Sequence, residues 1–259
     1  MSPAFYAPLY AGSLLIGMVA MTEVGRRIGT RRLKQDPEGA RLGLGAIESA
    51  MFALLGLMIA FTFHYAAARL DQRRVLIVEE ANLISTAWAR IDLVPEGARP
   101  ALRQRFRGYL DARLLEYRRY NDRQASRAAF DRATQLQREI WALAADAVRD
   151  QGAPAPSLLL AAINPMIDMS VTRTMATRIH PPSIVYVMLA TLALTGALLA
   201  GVQMAGSARR SWLHILVFAG IISGTMYVVL DLEYPRYGFI RVDDFDQALH
   251  QVRVEMEGP

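Results

Sequence analysis

Four long apolar blocks constrain this chain more than any other feature of its sequence. They run over residues 6–22, 44–68, 183–205 and 212–230, and the charged residues collect between them. The apolar residues are therefore not spread along the chain as they are in a soluble core. A helix needs about 20 predominantly apolar residues to cross the hydrocarbon core of a bilayer. The sequence predicts an integral membrane protein with four transmembrane helices, and the lipid bilayer is its first expected partner.

The basic residues of the two short loops predict the orientation, because Arg and Lys in short loops stay in the cytoplasm. The tail after residue 230 contrasts with these loops, since it has seven acidic residues against three arginines. We expect both short loops inside, and both termini and residues 66–182 outside. The first block lacks a basic segment before it, so we expect an uncleaved helix and not a signal peptide. The basic residues in or beside the short loops are Arg26, Arg27, Arg31, Arg32, Lys34, Arg41, Arg209 and Arg210.

Residues 66–182 are predicted to form a water-exposed helical bundle inserted between spans two and three. Good helix formers continue beyond span two to about Val94, where Pro95 ends the helix. Further helices are predicted over about 100–121, 126–150 and 157–178, and Pro165 is expected to kink or split the last one.

No alternating strand pattern occurs, so the fold class is all-α. The expected organisation is a transmembrane hairpin over residues 1–65, the inserted bundle over 66–182, a second hairpin over 183–230 and an acidic tail over 231–259.

Several kinds of chemistry have no support in the sequence. The chain has no cysteine, which excludes disulfides, thiolate metal sites and a cysteine nucleophile. No nucleotide-binding glycine loop, paired-histidine zinc motif or nucleophile elbow is found. Lys34 is the only lysine among 29 basic residues, a bias that does not indicate nucleic-acid binding. We therefore expect no enzyme activity, cofactor, metal site or nucleic-acid partner.

Span two carries the candidate pore residues Glu48, Ser49, Gly56 and His64. An ionisable side chain inside a membrane is costly and by default functional, so Glu48 is a candidate for lining a pore or binding an ion. The alternative is that it reaches the interface or pairs with Arg41. Ser49 and Gly56 lie on one stripe of small residues, which allows either close helix packing or a narrow pathway.

Polar motifs flank the inserted domain at both of its ends. Arg73 or Arg74 is placed to pair with Glu80, within or between subunits, and solvated charge on a helix face is the alternative. Asp231 and Glu233 form an acidic pair after span four, near Arg178 if the span ends meet. The charge-network candidates are Arg73, Arg74, Glu79, Glu80, Asn82, Arg178, His180, Asp231, Glu233 and Arg236.

Four motifs give the sequence a family resemblance. They are Arg73-Arg74 with Glu79-Glu80-Ala81-Asn82, then Trp88 to Leu93, then His180-Pro181-Pro182, and last Asp231 to Gly238. With this order and span layout, the sequence resembles the bestrophin-like family of bacterial membrane proteins from Gly45 to Leu249. The resemblance implies four spans with a helical insert in a bacterial inner membrane. Through kinship with bestrophin anion channels it also implies an oligomer around a central pore, although no acidic calcium-binding cluster or aromatic gate triplet is found.

Two functions remain open from the sequence. The first is a homo-oligomeric ion channel or pore-like protein, with span two lining the pathway and ions as partners. The second is a membrane-anchored sensor or scaffold whose extracytoplasmic bundle binds a partner. The second requires a separate output protein, because the inner loops are short.

Overall fold

The computed structural model describes residues 5–35, 44–149, 155–206 and 211–257, which form α-helices and short 3₁₀ turns with no strand among them. The predicted all-α fold is confirmed. In chain order the helices are α1 (Tyr6–Gln35), α2 (Leu44–Ala89), α3 (Arg99–Arg118), α4 (Arg123–Ala147), α5 (Ala155–Ala176), α6 (Ser183–Gln203), α7 (Trp212–Glu233) and α8 (Gln247–Glu255).

The chain divides into two compact units. The membrane unit comprises residues 1–70 and 180–239, and the helical unit comprises residues 71–179 and 240–259. α1, α2, α6 and α7 are long and apolar enough to cross a bilayer. These are the four predicted spans, and the protein is a multi-pass membrane protein.

Glycines let α1 and α6 of the membrane unit pack backbone to backbone. A methyl group added at Gly25 would lie 1.9 Å from the carbonyl oxygen of Leu198, and one at Gly201 would lie 2.1 Å from that of Thr22. Small residues allow this approach, which supplies the dispersion contacts that hold helices together in lipid. The buried core of the unit is formed by Leu14, Met18, Leu55, Leu189, Ala193, Ala197, Ala219 and Met226.

The helical unit has its own apolar core, to which α3, α4, α5, α8 and the second half of α2 contribute. α2 ends at Ala89 in a 3₁₀ turn over Arg90–Leu93, just before Pro95 as predicted. The Asp122 side chain caps α4 by accepting backbone hydrogen bonds from Gln124 and Ala125, both at 3.1 Å. α5 continues through Pro165 as one helix, so the proline does not split it.

The segment after α7 belongs to both units and is not one separate tail. Residues up to 239 lie in the membrane unit, and residues from 240 lie in the helical unit. Leu249 and Val252 of α8, and Met256 directly after it, are buried in the core of the helical unit. The acidic composition concealed this packing, because the apolar residues of α8 are few and spaced at i, i+3 and i+7 on one face.

Candidate functional site

The residues in the membrane half of α2 fall on three faces of the helix. Successive residues are rotated by roughly 100° about the helix axis, so residues three, four or seven apart share a face. One face carries Leu55, Thr62 and Ala66 and is buried within the subunit. A second carries bulky exposed residues, namely Ile47, Leu54, Phe61 and Tyr65. The third, which we name the small face, carries the exposed residues Ser49, Ala53, Gly56, Ala60 and His64, and the exposed side chains of Leu57 and Phe63 border it.

The small face has open space beside it within the subunit. A methyl group added at Gly56 would have no described atom within 4 Å. This contrasts with Gly25 and Gly201, where an added methyl group would overlap neighbouring backbone. Gly56 therefore does not serve helix packing inside one subunit, whereas Gly25 of α1 and Gly201 of α6 do.

Glu48 lies on a different face from Ser49. It is half-buried and shares the face of Phe52 and Leu55, four and seven residues further along the helix. No hydrogen bond or ion pair joins its carboxylate to a described residue. Its alternative partner Arg41 lies outside the described residues, as do Arg209 and Arg210 of the other short loop. The pore-lining role of Glu48 stays a prediction.

A buried carboxylate at the end of α7 contacts the middle of α2 and the segment before α6 in the membrane unit. Glu233 at the end of α7 is 1% exposed, and its oxygens accept hydrogen bonds from Nε of Arg69 at 2.9 and 3.2 Å. His180, which precedes α6, places Nδ1 3.3 Å from Oε2 of Glu233 and stacks on Tyr234 with ring centroids 4.7 Å apart. A buried carboxylate needs such partners to offset its lost hydration. The cluster therefore connects α2, α6 and α7 at one end.

Asp231 has a different role from that of Glu233, although the two were predicted as one acidic pair. Its Oδ2 accepts the backbone N–H of Phe239 at 3.0 Å. A methyl group at Gly238 would overlap the same carboxylate, at 1.3 Å from Oδ1. Asp231 thus holds the turn after α7, in which Arg236 is half-buried. Arg178 lies exposed in the helical unit.

A second buried carboxylate, Glu80, organises a charge network in the helical unit. Glu80 has no exposed surface, and its Oε1 accepts a hydrogen bond from Nε of Arg113 at 2.7 Å. Its Oε2 pairs with Nη1 of Arg173 and accepts the hydroxyl of Tyr117 at 3.3 Å. Arg113 also donates to Glu116 at 2.7 Å. The network joins α2, α3 and α5.

Charge and burial compete within this network. Burial alone would raise the pKa of Glu80, but Arg113 and Arg173 outweigh it and hold that pKa below its ordinary value. Burial raises the pKa of Glu116 above its ordinary value. The negative charge of Glu80 raises it further, and these effects outweigh the positive charge of Arg113, which lowers it. Burial also raises the pKa of Tyr117, which therefore stays neutral and donates to Glu80.

The predicted pairing of Glu80 with Arg73 or Arg74 is wrong within the subunit. Arg73 donates to the carbonyl oxygens of Ala176 and Ile179 at 3.2 and 3.1 Å, and Arg74 pairs with Asp71 at 3.1 Å. The true partners come from α3 and α5, far away in sequence, so spacing along α2 did not reveal them. Glu79 and Asn82 are exposed on the same helix.

Sequence reasoning missed Arg113 and Arg173, although a signal was present. Arg113 follows Phe106 and Tyr109 on the buried stripe of α3, and Arg173 follows Met166 on that of α5. An arginine on an apolar stripe indicates a buried carboxylate partner, because an unpaired buried charge is too costly. Among the described residues, no group of three His, Asp or Glu side chains is arranged to hold a metal ion.

Comparison with known proteins decides the family. The sequence pattern of the bestrophin-like domain matches residues 11–245, which include most of both units. The chain belongs to the bestrophin-like family. The resemblance inferred from the motifs is confirmed. No curated protein and no solved structure matches this bestrophin-like protein significantly.

Proposed function

We propose that this bestrophin-like protein is a homo-oligomeric ion channel or pore-like protein of a bacterial inner membrane, with the small face of α2 lining the pathway. The exposed small face is the observation that carries the proposal. Only 11% of the most apolar stretch of α2 is buried within the subunit, against 22% in α1 and 28% in both α6 and α7. The other three helices pack together, and α2 is left with two uncovered faces.

The two uncovered faces suit different surroundings. Bulky side chains such as Leu54 and Phe61 fill the space between lipid tails, so their face suits lipid. A helix face of Ser, Ala and Gly leaves room for another backbone or for a narrow water path. Ser49 and His64 add polar groups that hydrate or coordinate a passing ion.

A pathway lined by α2 requires several subunits, because one helix cannot enclose a pore. Copies arranged around an axis would bring the small faces together, which is why we propose a homo-oligomer. Gly56→Leu should reduce assembly, measured as the mass of the complex in nanodiscs, because a methyl group at Gly56 would meet no neighbouring described atom of its own subunit within 4 Å. Gly220→Leu, at another open position in a span, is the control. Strictly monomeric wild-type protein in both detergent and nanodiscs would refute the oligomer.

Cysteine accessibility tests the pathway directly, since the native chain has no cysteine. Ser49→Cys and Gly56→Cys should react with a water-soluble charged thiol reagent and change the current in reconstituted bilayers. Leu54→Cys is the matched control on the bulky face, and it should remain unreactive. Equal reactivity of Leu54→Cys and Ser49→Cys would contradict the assignment of the small face.

The orientation is also a proposal. The short basic loops support a cytoplasmic location for both loops and an external location for both termini and residues 66–182. A reporter that is active only in the cytoplasm should therefore be silent when fused at Gly258. A bright reporter there would reverse the orientation but not the number of spans.

The continuity of α2 favours the second candidate, a membrane-anchored sensor or scaffold. One unbroken helix carries residues of both units, from Leu44 to Ala89. A helix of this kind is able to transmit a shift caused by a bound partner. No current under varied voltage, pH and calcium, from wild type or from any of the cysteine variants, would favour the sensor over the channel.

A further inference from the structure

A shallow, open cleft of about 330 Å³ lies between side chains of the last three turns of α1 and is lined mainly by cations. Arg27, Arg31 and Lys34 recur at i, i+4 and i+7, which places them on one side of the helix. Glu23 contributes one carboxylate and is already paired with Arg27 at 3.2 Å. The described residues that line it are Glu23, Arg26, Arg27, Thr30, Arg31 and Lys34.

The direction of this cleft is set by the opposite side of the helix. Methyl groups at Gly25 and Gly29 would lie 1.9 and 2.5 Å from the carbonyl oxygens of Leu198 and Val202. These close approaches fix the rotation of α1 about its own axis relative to α6. The cationic side is therefore presented outward, away from α6, at a constant angle.

Exposed apolar residues run beside the cations. Val24 and Ile28 are 44% and 38% exposed. Arg27 follows Val24, and Arg31 follows Ile28, by three residues each, and residues at that spacing are surface neighbours on a helix. An apolar strip next to a cationic cleft matches a molecule that has a hydrocarbon chain and a negatively charged head.

We propose that this cleft binds the phosphate-bearing headgroup of an anionic phospholipid, while an acyl chain passes Val24 towards the apolar stretch of α1. The cleft begins where the apolar stretch of α1 gives way to charge, at the depth where phospholipid headgroups lie. Basic clusters at this depth attract anionic headgroups. The basic residues of short loops also set the orientation of a membrane protein. That role requires positive charge, but it requires neither a cleft nor an adjoining apolar strip.

Native mass spectrometry of the full chain with added phosphatidylglycerol or phosphatidylcholine tests the proposal. Wild-type protein should retain phosphatidylglycerol selectively. Arg27→Gln with Arg31→Gln should weaken that retention roughly tenfold, because each cation near the membrane surface contributes to attraction. Arg27→Lys with Arg31→Lys keeps the charge and should preserve selectivity. Arg119→Gln with Arg123→Gln removes equal charge from exposed positions of the helical unit and should have no effect.

Three results would overturn the proposal. Equal retention of both lipids by wild-type protein would show that the cleft does not select an anionic headgroup. An equal loss of phosphatidylglycerol retention in the Arg119→Gln with Arg123→Gln control would show that retention depends only on the net charge of the protein. Competition by soluble glycerol phosphate as strong as that by the lipid would show that the cleft takes a free phosphate and not a phospholipid. The same unfolding temperature of all variants in phosphatidylcholine would exclude misfolding as the cause of a loss.

Discussion

Nε of Arg113 donates to Oε1 of Glu80 at 2.7 Å, and both side chains are almost completely buried, at 1% and 0% exposed. Arg173 pairs with the other oxygen of the same carboxylate. One negative charge therefore holds two arginines from different helices inside the helical unit. Removing one member of such a network is strongly destabilising, because an uncompensated charge stays behind.

Glu80→Gln should lower the free energy of unfolding of the helical unit by about 3 kcal/mol, since both arginines lose the charged partner that they share. The measurement is urea unfolding of the full chain in nanodiscs, followed by tryptophan fluorescence. Glu79→Gln changes the neighbouring, exposed carboxylate and should alter stability by less than about 0.5 kcal/mol. Equal effects of the two substitutions would contradict the buried network.

The stability of the helical unit should pass through a maximum as pH changes. Glu80 has a pKa below its ordinary value of 4.5, so the unfolded chain takes up that proton first and stability falls below pH 4.5. Glu116 has a raised pKa, so its contribution is present below 4.5 and is lost as pH rises through the raised pKa.

Substituting Glu80 and Glu116 one at a time separates their contributions to the pH dependence of stability. Glu80→Gln should flatten the acid side of the stability profile, and Glu116→Gln should flatten the loss above pH 4.5. Both are read from the slope of the free energy of unfolding against pH, which does not depend on the overall loss of stability. Unchanged slopes in both variants would refute the assignment.

Gly25→Ala should loosen the packing of α1 against α6, because the added methyl group would meet the Leu198 carbonyl at 1.9 Å. Overpacking of this kind costs about 1–3 kcal/mol, and more where backbone must move. Gly12→Ala on the same helix meets no described atom within 4 Å and serves as the control. The unfolding temperature in nanodiscs should fall for Gly25→Ala only.

In a salt gradient, Ser49→Asp should shift the reversal potential towards the equilibrium potential of the cation. This shift should be larger than the opposite shift, towards the equilibrium potential of the anion, that Glu48→Gln causes. The small face carries Ser49, whereas Glu48 lies about 100° away on the half-buried side. Charge at the pathway wall acts on a passing ion more strongly than charge behind it. A larger shift from Glu48→Gln would instead place Glu48 at the pathway.

The sequence was sufficient for the four spans, the helices of the inserted domain and the family, because long apolar blocks and helical periodicity are local properties. It also singled out Glu80, Glu233 and His180, which proved to be members of buried or half-buried clusters. It did not reveal that Arg113 and Arg173 pair with Glu80, since these partners are 33 and 93 residues away.

Composition and periodicity by themselves determined that this chain enters a membrane as four helices. Which glycines touch backbone was decided only by the tertiary structure, since Gly25 and Gly56 both lie in apolar, helical sequence. The same holds for the small face of α2, whose exposure depends on where α1, α6 and α7 pack. Distance along the chain does not specify contacts between helices, because each helix offers several apolar faces and packing selects among them.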